Sequence, residues 1–259
     1  MLCQESTISF LMDAANKKSH SLMIQGCPGS GKTYLAGQYA KMLCVEDFCI
    51  VNPSVSEIRE SLDICIKFPH PVVLCIENID KGNIASAYAL LKSLEEPRDD
   101  LYIVITCRNI YDVPDTIVSR CLCCATNPPV DSDIEEFSFL VNPSRYLEVK
   151  ESTLWSCVRN FNEASSVLNM SKSDFEYIES LRSFLPIRDS ISNLVWKLGH
   201  YEDNRETPIE LVIRYIMSFF HTDKHVTMEG FSCIKDIMSG RVASHASVAR
   251  FLFECKYCE

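Results

Sequence analysis

The sequence predicts an α/β domain built on a five-stranded parallel sheet, followed by a half that is entirely helical. Three observations carry this. Apolar runs rich in β-branched residues alternate with helix-period stretches through the first half. A glycine-rich loop sits between the first of those runs and the helix that follows it. After Asn127-Pro128-Pro129 the strand-like runs stop.

The predicted strands are residues 21–25, 48–51, 72–76, 101–106 and 121–125. Between them, residues 34–43, 56–66 and 84–94 carry helical spacing. Strands that alternate with helices are expected to pair in parallel, with helices over both faces. Pro53, Pro97 and Pro114 punctuate the series. In the second half, helices are expected over residues 152–161, 173–184, 189–198, 208–220, 228–238 and 245–255. Pro208 suits a first helical turn and Gly240 a helix end. The acidic stretch 199–207 reads as a solvated connection. Three domains follow: 1–128 with the sheet, 129–185 as a small helical unit, and 186–259 as a terminal helical unit.

The chain has 259 residues, 47% of them hydrophobic, which suits a buried core and argues against disorder. No apolar run reaches the length of a membrane span, and the N-terminus lacks the pattern of a signal peptide. A soluble, intracellular (cytoplasmic) protein is expected. The 14 cysteines fall largely in strand-like runs, where thiols act as small apolar side chains in a reducing compartment. Cys121-x-Cys123-Cys124 falls where a strand is expected, so its side chains should alternate faces, and Cys255-x-x-Cys258 is a lone pair; neither is expected to make a zinc site. The net charge of −10 argues against autonomous DNA binding. It allows a subunit that adds a few basic residues to a shared surface, Lys81 and Arg98 being candidates beside their plainer reading as solvated charges.

The loop is Gly26-Cys27-Pro28-Gly29-Ser30-Gly31-Lys32-Thr33, with every fixed position of G-x-x-x-x-G-K-[ST] filled. Glycines let backbone N–H groups converge on phosphates at a helix N-terminus. Lys32 is expected between the β- and γ-phosphates, and Thr33 on Mg2+. ATP is the expected ligand. The second nucleotide motif is Val72-Val73-Leu74-Cys75-Ile76-Glu77-Asn78. Glu77 takes the magnesium side. Asn78 stands where a carboxylate would polarise water; an amide cannot act as a general base. Binding without fast hydrolysis is expected, with Asp80 as a possible substitute acid. Thr106, Cys107 or Asn109 could present a polar group to the γ-phosphate, or Cys107 and Arg108 could simply open a loop.

The middle of the chain is specific. The helix Ala89-Leu90-Leu91-Lys92-Ser93-Leu94-Glu95-Glu96-Pro97 and the segment Pro114-Asp115-Thr116-Ile117-Val118-Ser119-Arg120-Cys121 resemble the AAA+ subunits of sliding-clamp loaders. These are the bacterial DNA polymerase III γ/τ and δ′ subunits and, more distantly, replication factor C small subunits. Glu57-Ile58-Arg59-Glu60 resembles a helix that bacterial loader subunits carry between the two nucleotide motifs. The resemblance implies an AAA+ domain, a helical lid and a C-terminal collar. It implies an ATP-binding subunit that works with other loader subunits, a sliding clamp and primer–template DNA, with no membrane partner. It also implies that Arg120 reaches, as an arginine finger, the ATP of a neighbouring subunit; the local alternative is an ion pair with Glu95 or Glu96. A sensor Arg is implied in the lid, where Asn162 stands instead and Arg159 is the nearest substitute. Departures are the Glu77-Asn78 pair, the short lid and collar, and the absence of a zinc module. A compact viral or phage version, or a divergent bacterial one, fits them. The competing classes are a stand-alone AAA+ NTPase, such as a helicase loader or protein remodeller, and a nucleotide-free scaffold.

Overall fold

A computed structural model describes residues 5–184, 209–219, 228–230, 232 and 233. Two compact units form, Met1–Val130 and Asp131–Glu259.

The first unit contains α1 (Glu5–Asn16), β1 (Ser21–Gln25), α2 (Lys32–Met42), β2 (Asp47–Val51), α3 (Val55–Cys65) and β3 (Val72–Ile76). It continues with α4 (Ile84–Tyr88), α5 (Leu91–Glu95), β4 (Leu101–Cys107), α6 (Asp115–Val118) and β5 (Leu122–Ala125). The five strands pair in the order β2-β3-β4-β1-β5, all parallel. Strand β3 is buried along its whole length, as is β4, so both read as unbroken apolar runs. The strand period of two sorts their side chains between two cores. Leu74, Ile76, Ile103 and Ile105 join Ile58, Leu90 and Ile117 on one face. Leu22, Ile24, Val73 and Val104 join Leu11, Leu35 and Tyr39 on the other.

Sequence reading missed or misplaced several elements, among them helices over residues 131–141 and 143–149 that were not expected. Helix α1 was not expected at all. Its core face is Thr7, Leu11, Ala14 and Ala15, and Thr7 is buried because its hydroxyl donates to the Ala125 carbonyl at 2.8 Å. The single helix expected over 84–94 is two, α4 and α5. At the break the Leu90 N–H turns to the Ala87 carbonyl, three residues back, while the Leu90 side chain is wholly buried. The helix expected over 152–161 stops after four residues.

In the second unit the described helices are α7 (Asp131–Val141), α8 (Pro143–Val149), α9 (Thr153–Ser156), α10 (Phe161–Asn169), α11 (Lys172–Phe184) and Ile209–Phe219. Asn160 ends the expected 152–161 helix because it caps the next one: its side chain accepts the Glu163 N–H at 3.0 Å. Glu163 reaches back to accept the Arg159 N–H at 2.8 Å. Its other oxygen accepts from the Arg214 guanidinium, which joins α10 to helix Ile209–Phe219. Glu163 is 5% exposed, so its charge depends on these donors. Glu163→Ala is therefore expected to destabilise this unit by about 2–3 kcal/mol, discounted because Arg214 keeps some solvent contact. A urea melt that leaves the midpoint unchanged would refute the assignment.

The expected elements at 189–198 and 245–255, the connection 199–207, Pro208, Gly240 and the Cys255–Cys258 pair lie outside the described residues. So does most of the expected terminal unit 186–259. Among the described residues no helix is long and apolar enough to cross a membrane.

Candidate functional site

Strand β1 delivers the chain to the C-terminal edge of the sheet, and α2 leaves from the same point. The turn between them requires Gly29 and Gly31 in the left-handed region, at φ 71 and φ 85. Gly26 is needed for space. A Cβ there would collide with the Thr126 hydroxyl and come within 2.9 Å of Ser30 Oγ. Those two hydroxyls bond to each other at 2.7 Å, and the Thr126 N–H donates to the Gln25 carbonyl at 2.7 Å. The loop is thus buttressed from beyond β5. Thr126 was missed by sequence reading, since nothing local marks it.

Lys32 opens α2 and is 7% exposed. Its ammonium donates to the carbonyls of Gly26 at 2.8 Å and Cys27 at 2.9 Å. Burial holds its pKa below the usual lysine value; Cys27, Asp80 and Cys107 oppose that, and Arg108 adds to it. Cys27 and Pro28 form the exposed lip of the loop.

The second motif meets the first directly. The Thr33 hydroxyl donates to a carboxylate oxygen of Glu77, which stands just beyond β3. Both Mg2+ candidates are therefore brought together, and both are hard oxygen donors. The next residue, Asn78, adopts a left-handed conformation at φ 49, which turns the chain sharply out of the sheet. Its N–H donates to Thr106 Oγ at 2.9 Å. Thr106 is 1% exposed, so its hydroxyl anchors the end of β3. Cys107 is wholly buried, its thiol pushed up to about 12 by burial, and its carbonyl accepts the Gly26 N–H at 3.1 Å. Asn109 caps the turn that follows by accepting the Tyr111 N–H at 3.3 Å. Asp80 accepts the Arg108 N–H at 3.2 Å.

Arg120 lies beyond α6. Its guanidinium pairs with Glu95 at 2.7 Å and donates to the Thr116 carbonyl at 2.7 Å. The local pairing weighed from sequence is formed in this chain. Of the two basic residues considered for a DNA-facing surface, Arg98 pairs with Asp100 at 2.6 Å and Lys81 is exposed. In the second unit the Arg159 guanidinium donates to the carbonyls of Ser156 and Val158, both at 2.8 Å, so it ties off the end of α9.

Residues 69–129 match the family model described as "DNA polymerase III, delta subunit". The chain is 30% identical over 154 residues to a DNA polymerase III subunit gamma of Buchnera aphidicola from Schizaphis graminum, covering 48% of this chain and 42% of that protein. It is also 30% identical over 150 residues to the DNA polymerase III subunit tau of Bacillus subtilis, covering 46% of this chain and 27% of that protein. The chain thus spans less than half the length of the curated relatives it matches. Among solved structures, it shares its fold with a DNA polymerase III gamma subunit-related protein from Thermotoga maritima. That likeness has a TM-score of 0.57 at 15% identity and covers 96% of this chain and 98% of that one. These likenesses agree with the resemblance to DNA polymerase III subunits read from residues 89–97 and 114–121.

Proposed function

We propose that this chain is an ATP-binding AAA+ subunit of a sliding-clamp loader, acting with other subunits of a DNA polymerase III assembly to open a clamp and place it on primer–template DNA. The observation that carries the reading is the Thr33–Glu77 hydrogen bond, which joins both nucleotide motifs at one point. The similarity to gamma and tau subunits supplies the biological setting.

In this reading, the N–H groups of residues 26–33 and the ammonium of Lys32 hold the phosphates. Thr33 and Glu77 hold Mg2+, which neutralises phosphate charge when bound. Asn78 can hydrogen-bond a water molecule and cannot take its proton, so turnover at this site is slow. Thr106 supports the site by fixing the Asn78 backbone. Arg120 serves the site of the adjacent subunit. Its surface pair with Glu95 is worth no more than about 1 kcal/mol, so a phosphate can replace the carboxylate. In the same reading, residues 1–128 would hold the nucleotide, 129–185 would act as lid and 186–259 as collar.

The test is titration of the purified chain with Mg-ATP, followed by purification from the native source. Micromolar binding, negligible turnover, and recovery of a clamp and further loader subunits are expected. A chain that binds no ATP is a scaffold instead, and one that closes into its own ring is a stand-alone NTPase. A second prediction concerns Arg120. Arg120→Ala is expected to leave this chain's own ATP affinity unchanged within about two-fold and to slow hydrolysis in the assembled complex by about 10³-fold or more, the scale of arginine fingers. Loss of ATP binding in the isolated variant would show that the residue serves its own chain.

A further inference from the structure

A groove that the nucleotide motifs leave unused opens where two turns leave the sheet. It encloses about 290 Å³. One wall is the turn after β3 with the start of α4, and contributes Ile79, Ile84 and Ala87. The other is the turn after β4, and contributes Tyr111, Val113 and Pro114. Ile79, Ala87 and Val113 are buried and belong to the core that contains Leu74 and Ile103, so the floor is fixed and apolar. The walls are held by side-chain caps. Asn83 accepts the Ser86 N–H at 2.8 Å, and Asn109 accepts the Tyr111 N–H at 3.3 Å.

The rim of this groove is apolar too. Ile84 is 62% exposed and Tyr111 is 90% exposed. Tyr88, one turn along α4 from Ile84, is exposed as well. Single exposed apolar side chains are ordinary on a protein surface; a cluster of them around a concave apolar floor marks an interaction site. The charge around it selects the partner. Residues 79–88 and 110–117 hold Asp80, Asp112 and Asp115 against Lys81 alone. Asp80 is engaged by the Arg108 N–H at 3.2 Å. Asp112 lines the groove and Asp115 follows Pro114. Both are exposed, and neither forms an ion pair among the described residues. A nucleic-acid strand would bring its phosphates against these carboxylates, whereas a basic polypeptide complements them.

We propose that this groove docks a protein partner, through a segment that places an aliphatic side chain on the apolar floor and a lysine or arginine beside it. The proposal goes beyond the nucleotide-site reading and does not depend on it. The aliphatic anchor packs between Ile84 and Tyr111, where water is most easily excluded. The neighbouring cation meets Asp112 and Asp115 at the rim, which sets the orientation of the segment.

The experiment is an NMR titration of the full chain, labelled at its isoleucine, alanine and valine methyl groups. The probes are a short synthetic peptide with a central leucine followed by two arginines, the same peptide with serine for the leucine, the same with glutamates for the arginines, and a single-stranded thymidine oligonucleotide. The leucine–arginine peptide is expected to shift the methyl signals of Ile84, Ala87 and Val113. Either peptide change is expected to weaken binding by about 10-fold or more. In the chain, Tyr111→Ala and the double variant Asp112→Asn/Asp115→Asn are each expected to do the same, with ATP affinity and the thermal transition unchanged. All three side chains are exposed, so these variants should fold. The proposal is overturned if the leucine–arginine peptide shifts none of these signals, or if the serine or glutamate peptide binds as well. Stronger shifts with the oligonucleotide than with the peptide also overturn it, and would make the face a nucleic-acid surface. A chain that binds no ATP removes the nucleotide site and leaves this proposal to be decided by the peptides alone.

Discussion

Gly26→Ala is expected to lower the stability of the first unit by about 2–4 kcal/mol and to weaken ATP binding by about 100-fold or more. The stability loss has two sources. The new methyl overlaps the Thr126 hydroxyl, and the next obstacle, Ser30 Oγ, is 2.9 Å away. Overfilling a packed site costs about 1–3 kcal/mol. Moving Thr126 aside also breaks the buried Ser30–Thr126 hydrogen bond, which adds about 1 kcal/mol. Neither hydroxyl has room to retreat, since Thr126 is 8% exposed and Ser30 is 1% exposed. The binding loss follows from the same displacement. Gly26 is the residue whose carbonyl receives Lys32 and whose N–H is held by Cys107. Shifting it re-aims the amides of the loop, and a misplacement of about 1 Å suffices for a 10²-fold effect. Thr126→Ser keeps the hydroxyl and removes a methyl, so the double variant Gly26→Ala/Thr126→Ser should recover little, because the clash is with the oxygen. Full recovery in that double variant, measured by melt and by ATP titration, would place the clash elsewhere.

The parts of the molecule that could be read in advance are those whose information is local. Strands β3 and β4 are continuous apolar runs because they lie at the centre of a parallel sheet, and their positions followed from composition alone. The glycine loop is a contiguous motif, so Lys32 and Thr33 needed no fold to be assigned. Glu77 was legible because a strand ending in acid is itself a short pattern. What escaped depends on residues distant in sequence. Thr7 looks polar in a window of twelve residues, and only the Ala125 carbonyl, 118 residues away, explains its burial and hence α1. Thr126 buttresses a loop whose Ser30 is 96 residues earlier. Thr106 was legible as a polar group at the end of its strand, and that it also anchors the Asn78 N–H, 28 residues away, was not. The pairing of Arg120 with Glu95 was foreseeable as one of two alternatives, since charge identifies candidate partners and only the packing of α5 against α6 selects among them.

Lys32→Ala separates the role of the loop in binding from its role in folding. ATP affinity is expected to fall by about 100- to 1000-fold, because the ammonium supplies charge-assisted hydrogen bonds worth about 1.5–3 kcal/mol each. Stability should change by no more than about 1 kcal/mol, through two opposed effects. Burial depresses the Lys32 pKa, which means the charged amine is held against a desolvation penalty that the substitution removes. The substitution also strips the Gly26 and Cys27 carbonyls of a donor at 2.8 and 2.9 Å, a loss that water offsets at Cys27 because that residue is exposed. A melt and a Mg-ATP titration on the same sample decide the matter. Lost binding with a retained thermal transition is the signature of a nucleotide loop. Retained binding would mean that the phosphates are held without Lys32, and a scaffold would bind no ATP in either form. Loss of the transition itself would make the ammonium a structural tie across the turn from Gly26 to Lys32, and the stability argument from burial would then be wrong in sign.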